Sequence, residues 1–193
     1  MIDPSQGRVT VIRFLASILT ISTFSQAALA VENACEREMT RASAAYGVPL
    51  GVLYSVGMTE SGRKDSLRPN AMNIDGRAYF ATSVADGVRA FKAATAHGAK
   101  LIDIGCMQID HHFHASAFAS LEQMFDPHAN VEYAAHFHKG LRQSEGNWTL
   151  AVARYHAGPN ANLAQKQYVC TVIVNMVASG FGSWTPESRA FCR

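Results

Sequence analysis

The sequence predicts a mainly α fold of the α+β kind: a helical domain with a small β-hairpin inserted after the helix that carries Glu60. Three observations predict it. After residue 30, most of the chain falls into stretches with apolar residues at helical spacing, several bracketed by a capping residue and a glycine. Residues 67 to 82 break that pattern, because Pro69, Asn70, Asn73, Asp75 and Gly76 are turn formers and Asp75-Gly76 is a hairpin signal. No internal repeat, low-complexity tract or long linker divides the chain.

The first 30 residues read as a secretory signal peptide. Arg8 and Arg13 flank the start of an apolar run over 14 to 24, and Ala28-Leu29-Ala30 supplies a small-residue cleavage pattern. That run is shorter than the ~20 residues a spanning helix needs. An exported chain with no membrane anchor after cleavage is therefore expected. Removing 30 of 193 residues leaves 163, enough for one domain over 31–193 with a real core. Without Arg8, Arg13 and Asp3 the balance is 15 basic to 14 acidic side chains, a net of +1. Such a balance argues against nucleic-acid binding through a basic face.

The elements follow in order. Asn33, with Glu36 three residues on, resembles a cap for a helix running to Tyr46, with Gly47 as its stop. Pro49 opens a second helix, since its missing N–H costs nothing in a first turn, and Gly62 ends it. Residues 78 to 82 pair across the Asp75-Gly76 turn. Ser83 starts a helix with Val84, Val88, Phe91 and Thr95 on one face and Gly98 at its end. An extended segment spans 101 to 109. Helices are then expected over about 114 to 121, about 128 to 143, 148 to 157 with Trp148 at its start, and 163 to 178 before a tail.

Cys35, Cys106, Cys170 and Cys192 make an even count, which in an exported chain points to disulfides. Three pairings are open. Cys35 to Cys106 with Cys170 to Cys192 is preferred, because the second closes a short C-terminal loop and the first ties the opening helix to the central segment. No two of the four form a close pair of the kind a zinc site uses.

Glu60 is the chemically informative residue. It sits in the last turn of the apolar helix 50 to 62, where the negative end of the helix dipole and the neighbours Val56 and Met58 disfavour its ionisation. A carboxyl that keeps its proton near neutral pH can donate it to a leaving group. The plain alternative is an exposed glutamate at a helix end.

Three ordered motifs carry a resemblance: Glu60-Ser61 at the end of an apolar helix, Gly105-Cys106-Met107-Gln108-Ile109, and Ala153-Arg154-Tyr155-His156-Ala157-Gly158-Pro159. Together they resemble the family 1 lytic transglycosylases, whose usual forms are Glu-Ser, Gly-Leu-Met-Gln-Ile and Ala-Tyr-Asn-Ala-Gly. The resemblance covers roughly residues 35 to 180 and implies a lysozyme-like fold related to goose-type lysozyme. Within the family the chain is most similar to small exported enzymes that serve flagellar or secretion-system assembly. The shared features are Asp103 to Ile109, Phe125-Asp126-Pro127 ahead of the 130 to 135 helix, and the long 63 to 103 insertion. Three positions depart from the pattern: Cys106 for Leu, His156 for Asn, and Thr59 where Gln is often found.

What the resemblance implies is a periplasmic, cofactor-free enzyme of the bacterial cell envelope acting on peptidoglycan glycan strands, with a flagellar or secretion-system component as a partner. Protonated Glu60 would give its proton to the glycosidic oxygen between N-acetylmuramic acid and N-acetylglucosamine. The resulting carboxylate would take the proton of the muramoyl C6 hydroxyl as that oxygen closes onto C1, leaving a 1,6-anhydro end. Ser61 would steady Glu60 or an acetamido group, Met107 and Gln108 would line the sugar groove, Tyr155 would hydrogen-bond near the Glu60 carboxyl, and His156 would keep a modified polar contact. Tyr155 reads equally as a core aromatic with a satisfied hydroxyl, and Met107 is more often core than site, lifted only by its motif.

Two alternatives stand beside this reading. Ordinary glycoside hydrolases need a second carboxylate. Asp75 and Asp103 are the candidates for a hydrolytic muramidase, although Asp75 reads better as a turn residue and Asp103 as a partner for a backbone N–H. The other alternative is a weakly active wall-binding scaffold with the tail over 179 to 193, including Trp184 and Phe191, as a docking surface. An intact Glu60 argues against it. His111, His112 and His114 form the densest histidine cluster, with His136 and His138 on a later helix. No acidic residue at metal-motif spacing accompanies them, so no metal site is assigned.

Overall fold

Asn33 sets the start of the fold. Its side-chain oxygen accepts from the Cys35 N–H at 2.9 Å and caps helix α1, Ala34–Tyr46, which Gly47 ends in the left-handed region at φ 69°. The computed structural model describes residues 33–64 and 66–193; the leader read over 1–30 lies outside them. Helix α2, Leu50–Ser61, packs against α1 so closely that a Cβ at Gly57 would meet Met39 Cε at 2.3 Å. A larger residue there would have to push the Met39 side chain aside.

Helix α3, Val84–Ala96, is capped by the Ser83 hydroxyl. The longest helix, α6 (Pro127–Glu145), starts from an Asp126 cap with proline in its first turn and lies against α1. Helix α7, Trp148–His156, packs between α6 and α8, Asn162–Ala178, and α8 also packs along α2. The core that joins them includes the fully buried Leu53, Val56, Met107, Phe125 and Val131. No helix among the described residues is long and apolar enough to cross a membrane.

The sheet is larger than the expected hairpin. Strands β1 (Ala71–Ile74) and β2 (Arg77–Phe80) form that hairpin, and β3 (Ile102–Ile104) and β4 (Ile109–Asp110) extend it to four antiparallel strands in the order β2-β1-β3-β4. The segment 101 to 109 is thus two strands folded about a tight turn at 105 to 108. Register places Asn73 opposite Asp103, and Asp103 opposite Asp110, in one row across the sheet. Asp75, at φ 46°, accepts from the Lys100 and Leu101 N–H groups at 3.2 and 3.0 Å. It staples the hairpin turn, which removes it as a second carboxylate.

The continuous helix expected over 114 to 121 is broken. Asp110 caps a single turn, α4 (His111–His114), a 3₁₀ turn follows over Ala115–Ala117, and Ser120 caps α5 (Leu121–Phe125). Two N-caps ten residues apart restart the chain in a new direction. The tail adds α9, Pro186–Phe191, opened by a capping box between Thr185 and Ser188. The disulfides are Cys35–Cys106 and Cys170–Cys192, the preferred pairing.

Candidate active site

The last turn of α2 places Glu60 in a cleft of about 300 Å³ that it shares with Asn73, Asp103, Gln108, Asp110, Tyr155 and His156. A second cavity of about 400 Å³ is larger, but no acidic side chain is among its described lining residues, so volume does not locate the chemistry. The α2 last turn holds no basic residue to offset the negative helix end. Tyr168 donates to Glu60 Oε1 at 2.5 Å. The carboxyl keeps some solvent exposure through the cleft, yet protein encloses it on its other sides. Burial raises its pKa to about 7, the Tyr168 hydrogen bond pulls the other way, and the Asp103 charge adds a smaller upward push.

The central motif forms the floor. Gly105 stands at φ 85°, and a Cβ there would meet Asn130 Nδ2 at 2.5 Å, so the turn requires glycine. Asn130 is fully buried. It accepts from the Met107 N–H at 2.9 Å and donates to the Ile104 and Met124 carbonyls at 2.8 and 2.9 Å. Gln108 adopts φ 48° and its amide donates to the Ala71 and Gly105 carbonyls, locking the turn with its own side chain. A non-glycine residue in the left-handed region at a cleft is the kind of strain that fixes a site.

The predicted site residues divide. Glu60, Gln108, Tyr155 and His156 are brought together in the cleft. Ser61 is not among its lining residues: it is buried, and its hydroxyl donates to the Cys106 carbonyl at 2.7 Å and the Gly57 carbonyl at 3.3 Å. It clamps α2 to the motif rather than steadying Glu60. Met107 does not line the groove either, because its side chain is fully buried against the gap at Gly57. Its contribution is its carbonyl, which accepts from the Tyr155 hydroxyl at 2.7 Å. Tyr155 therefore spends its proton on the motif and not on Glu60.

Tyr168 holds the place expected of Tyr155. Sequence reasoning passed over it as part of an apolar helix. The available signal was a lone phenol among aliphatic residues. His156 stacks flat on the Tyr168 ring, with centroids 4.2 Å apart and planes 2° from parallel, so its ring backs the hydrogen-bond donor to Glu60. His138, fully buried, stacks beneath Tyr155 at 4.1 Å. Burial lowers its pKa to about 4, so it is neutral there.

Asp103 corrects another expectation. It serves the cleft wall rather than a backbone N–H, with the Asn73 side chain as its hydrogen-bond partner. Burial and the neighbouring Asp110 raise its pKa to about 6. The histidine cluster is absorbed structurally: His111 packs on Phe91, and His114 Nδ1 meets the Tyr133 hydroxyl at 2.7 Å. Among the described residues no group of three or more His, Cys, Asp or Glu is placed to hold a metal.

One buried carboxyl with a pKa near neutrality, held by a phenol in an open cleft, can serve first as acid and then as base. Residues 38–172, 135 of the 193, match the family model described as Transglycosylase SLT domain. No curated protein and no solved structure matches the chain.

Proposed function

Since the chain belongs to the SLT transglycosylase family, whose substrate is peptidoglycan, we propose that it cuts the β-1,4 bond between N-acetylmuramic acid and N-acetylglucosamine with Glu60 as both acid and base. The observation that carries this reading is the Glu60 carboxyl itself, enclosed, raised to about 7 and hydrogen-bonded by Tyr168.

Protonated Glu60 gives its proton to the glycosidic oxygen as the bond to C1 breaks. The new carboxylate, steadied by the Tyr168 hydroxyl, then accepts the proton of the muramoyl C6 hydroxyl while that oxygen bonds to C1. Glu60 ends protonated and no water is consumed. A pKa near 7 suits both halves, since an acid much stronger would not hold its proton and one much weaker would make a strong base but a poor donor. Gln108 and the Tyr155 ring contribute cleft surface, and Asn130, Ser61 and the Met107 carbonyl hold that surface in register.

The exported, periplasmic setting rests on the leader read over residues 1–30. Local opening of the wall for a secretion or flagellar apparatus rests on the shared features around residues 103 to 109, 125 to 127 and 63 to 103. A second reading, a hydrolytic muramidase, is favoured by Asp103, which shares the cleft and couples to Glu60. Mass spectrometry of fragments released from peptidoglycan separates the two. Anhydro-muramic ends, lighter by one water and missing from a Glu60→Gln reaction, are expected. Reducing ends would transfer the role of water positioner to Asp103.

A further inference from the structure

The larger cavity, of about 400 Å³, opens at the loop that follows α2 and is lined by Arg63, Lys64 and Arg68 together with Asn70 and Phe80. The Arg63 guanidinium lies over the Phe80 ring, 4.7 Å from its centroid. Arg68 donates from Nη2 to the Arg63 carbonyl at 3.3 Å, while its Nε is buried with no partner. None of the three cations joins an ion pair among the described residues. Counting Asp65, residues 63 to 68 still carry a net charge of +2. Guanidinium donors gathered in one pocket attract an anion with planar oxygens, for which the fork of an arginine is matched.

Position decides which anion. Arg63 lies three residues beyond Glu60, so their Cα atoms are at most about 11 Å apart. Asn70, just before strand β1, lines the basic pocket, and Asn73, within the strand, lines the cleft. A glycan strand in the cleft is itself uncharged. Its charge hangs on the lactyl arm of muramic acid, which carries a peptide stem with free carboxylates.

We propose that the Arg63–Lys64–Arg68 pocket binds the carboxylates of the peptide stem on the strand being cut, so that the protein recognises stem-bearing glycan. The assignment rests on the peptidoglycan reading of the cleft. Arg63 is oriented by its place over the Phe80 ring, and Arg68 lines the same pocket beside it.

Calorimetric titration with a soluble stem peptide tests the pocket without turnover. Binding is expected, weakened about tenfold by Arg63→Gln or Arg68→Gln, the loss of one charge-assisted contact, and abolished when the peptide carboxylates are amidated. Cleavage supplies the second readout. On stem-bearing strands Arg63→Gln should raise KM about tenfold with kcat held, and on strands whose stem carboxylates have been amidated it should change neither. Arg63 is exposed and makes no ion pair among the described residues, so its variant should melt like the parent, which keeps the test open if Arg68→Gln misfolds. Failure of the peptide to bind, equal binding of the amidated peptide, or equal losses on both strands would overturn the proposal. A protein that binds the peptide through Arg63 but releases no fragments would uphold the pocket and sink the catalytic reading instead.

Discussion

Replacing Glu60 by Gln should stop turnover and, at neutral and alkaline pH, make the protein more stable. The folded carboxyl has a pKa of about 7 against an ordinary 4.5. A group whose folded pKa is raised contributes stability that is full below the unfolded value and lost as pH rises through the folded value. Below about 4.5 the carboxyl is protonated in both states and resembles the amide. Above about 7 the folded protein must hold a charge in the enclosure that the unfolded chain holds in water. The difference is about 2.5 units, worth roughly 3 kcal/mol at 1.36 kcal/mol per unit. The Glu60→Gln side chain keeps a carbonyl oxygen that can accept from the Tyr168 hydroxyl, so that contact persists in the variant. For a domain of this size the gain corresponds to a rise in Tm of roughly 6 to 12 °C. Urea denaturation of both proteins from about pH 4 to about pH 8.5 measures it, and other titrating groups cancel in the difference. A difference that stays flat with pH, or a Gln variant less stable at the alkaline end, would refute the argument that burial sets the Glu60 pKa.

The activity profile should fall as pH rises through about 7, as Glu60 loses its proton. Asp103→Asn should move that fall to lower pH by removing a neighbouring negative charge, and Tyr168→Phe should move it higher while reducing kcat, both read from kcat against pH. His138 works in the opposite sense in stability. Its folded pKa of about 4 lies below the ordinary 6.5, so the unfolded chain takes up a proton first, and roughly 3 kcal/mol of stability should be lost as pH falls between those values. Calorimetry of the parent and a His138→Phe variant checks whether the acid-side loss disappears with the imidazole. Ser61→Ala should destabilise by about 1–3 kcal/mol, because the Cys106 carbonyl loses a buried donor, and should leave KM unchanged. A raised KM there would return Ser61 to the substrate.

The helices were legible because capping and periodicity act within a few residues. Asn33, Ser83 and Gly47 each act where the local rule puts them. Glu60 was legible for the same reason, since a carboxyl in an apolar last turn is a local anomaly. What the sequence hid was long-range. Ser61 reaches Cys106 across 45 positions and Tyr168 reaches Glu60 across 108, and no periodicity encodes such pairs. The motif around Met107 suggested a sugar-lining side chain, whereas the fold uses its backbone carbonyl as an anchor for Tyr155. The helix expected over 114 to 121 is instead two short ones, because Asp110 and Ser120 each cap a new start. Asp103 became a cleft residue only through the sheet register that aligns it with Asn73 and Asp110.

The central claim is that one carboxyl closes a sugar hydroxyl onto C1 without using water. Cleavage of peptidoglycan in water enriched in heavy oxygen tests it most directly, because a hydrolase must leave a solvent oxygen on C1 of the new muramic end. The account predicts released ends free of the label and unreactive to borohydride. Labelled, reducing ends would contradict it and make the protein a muramidase.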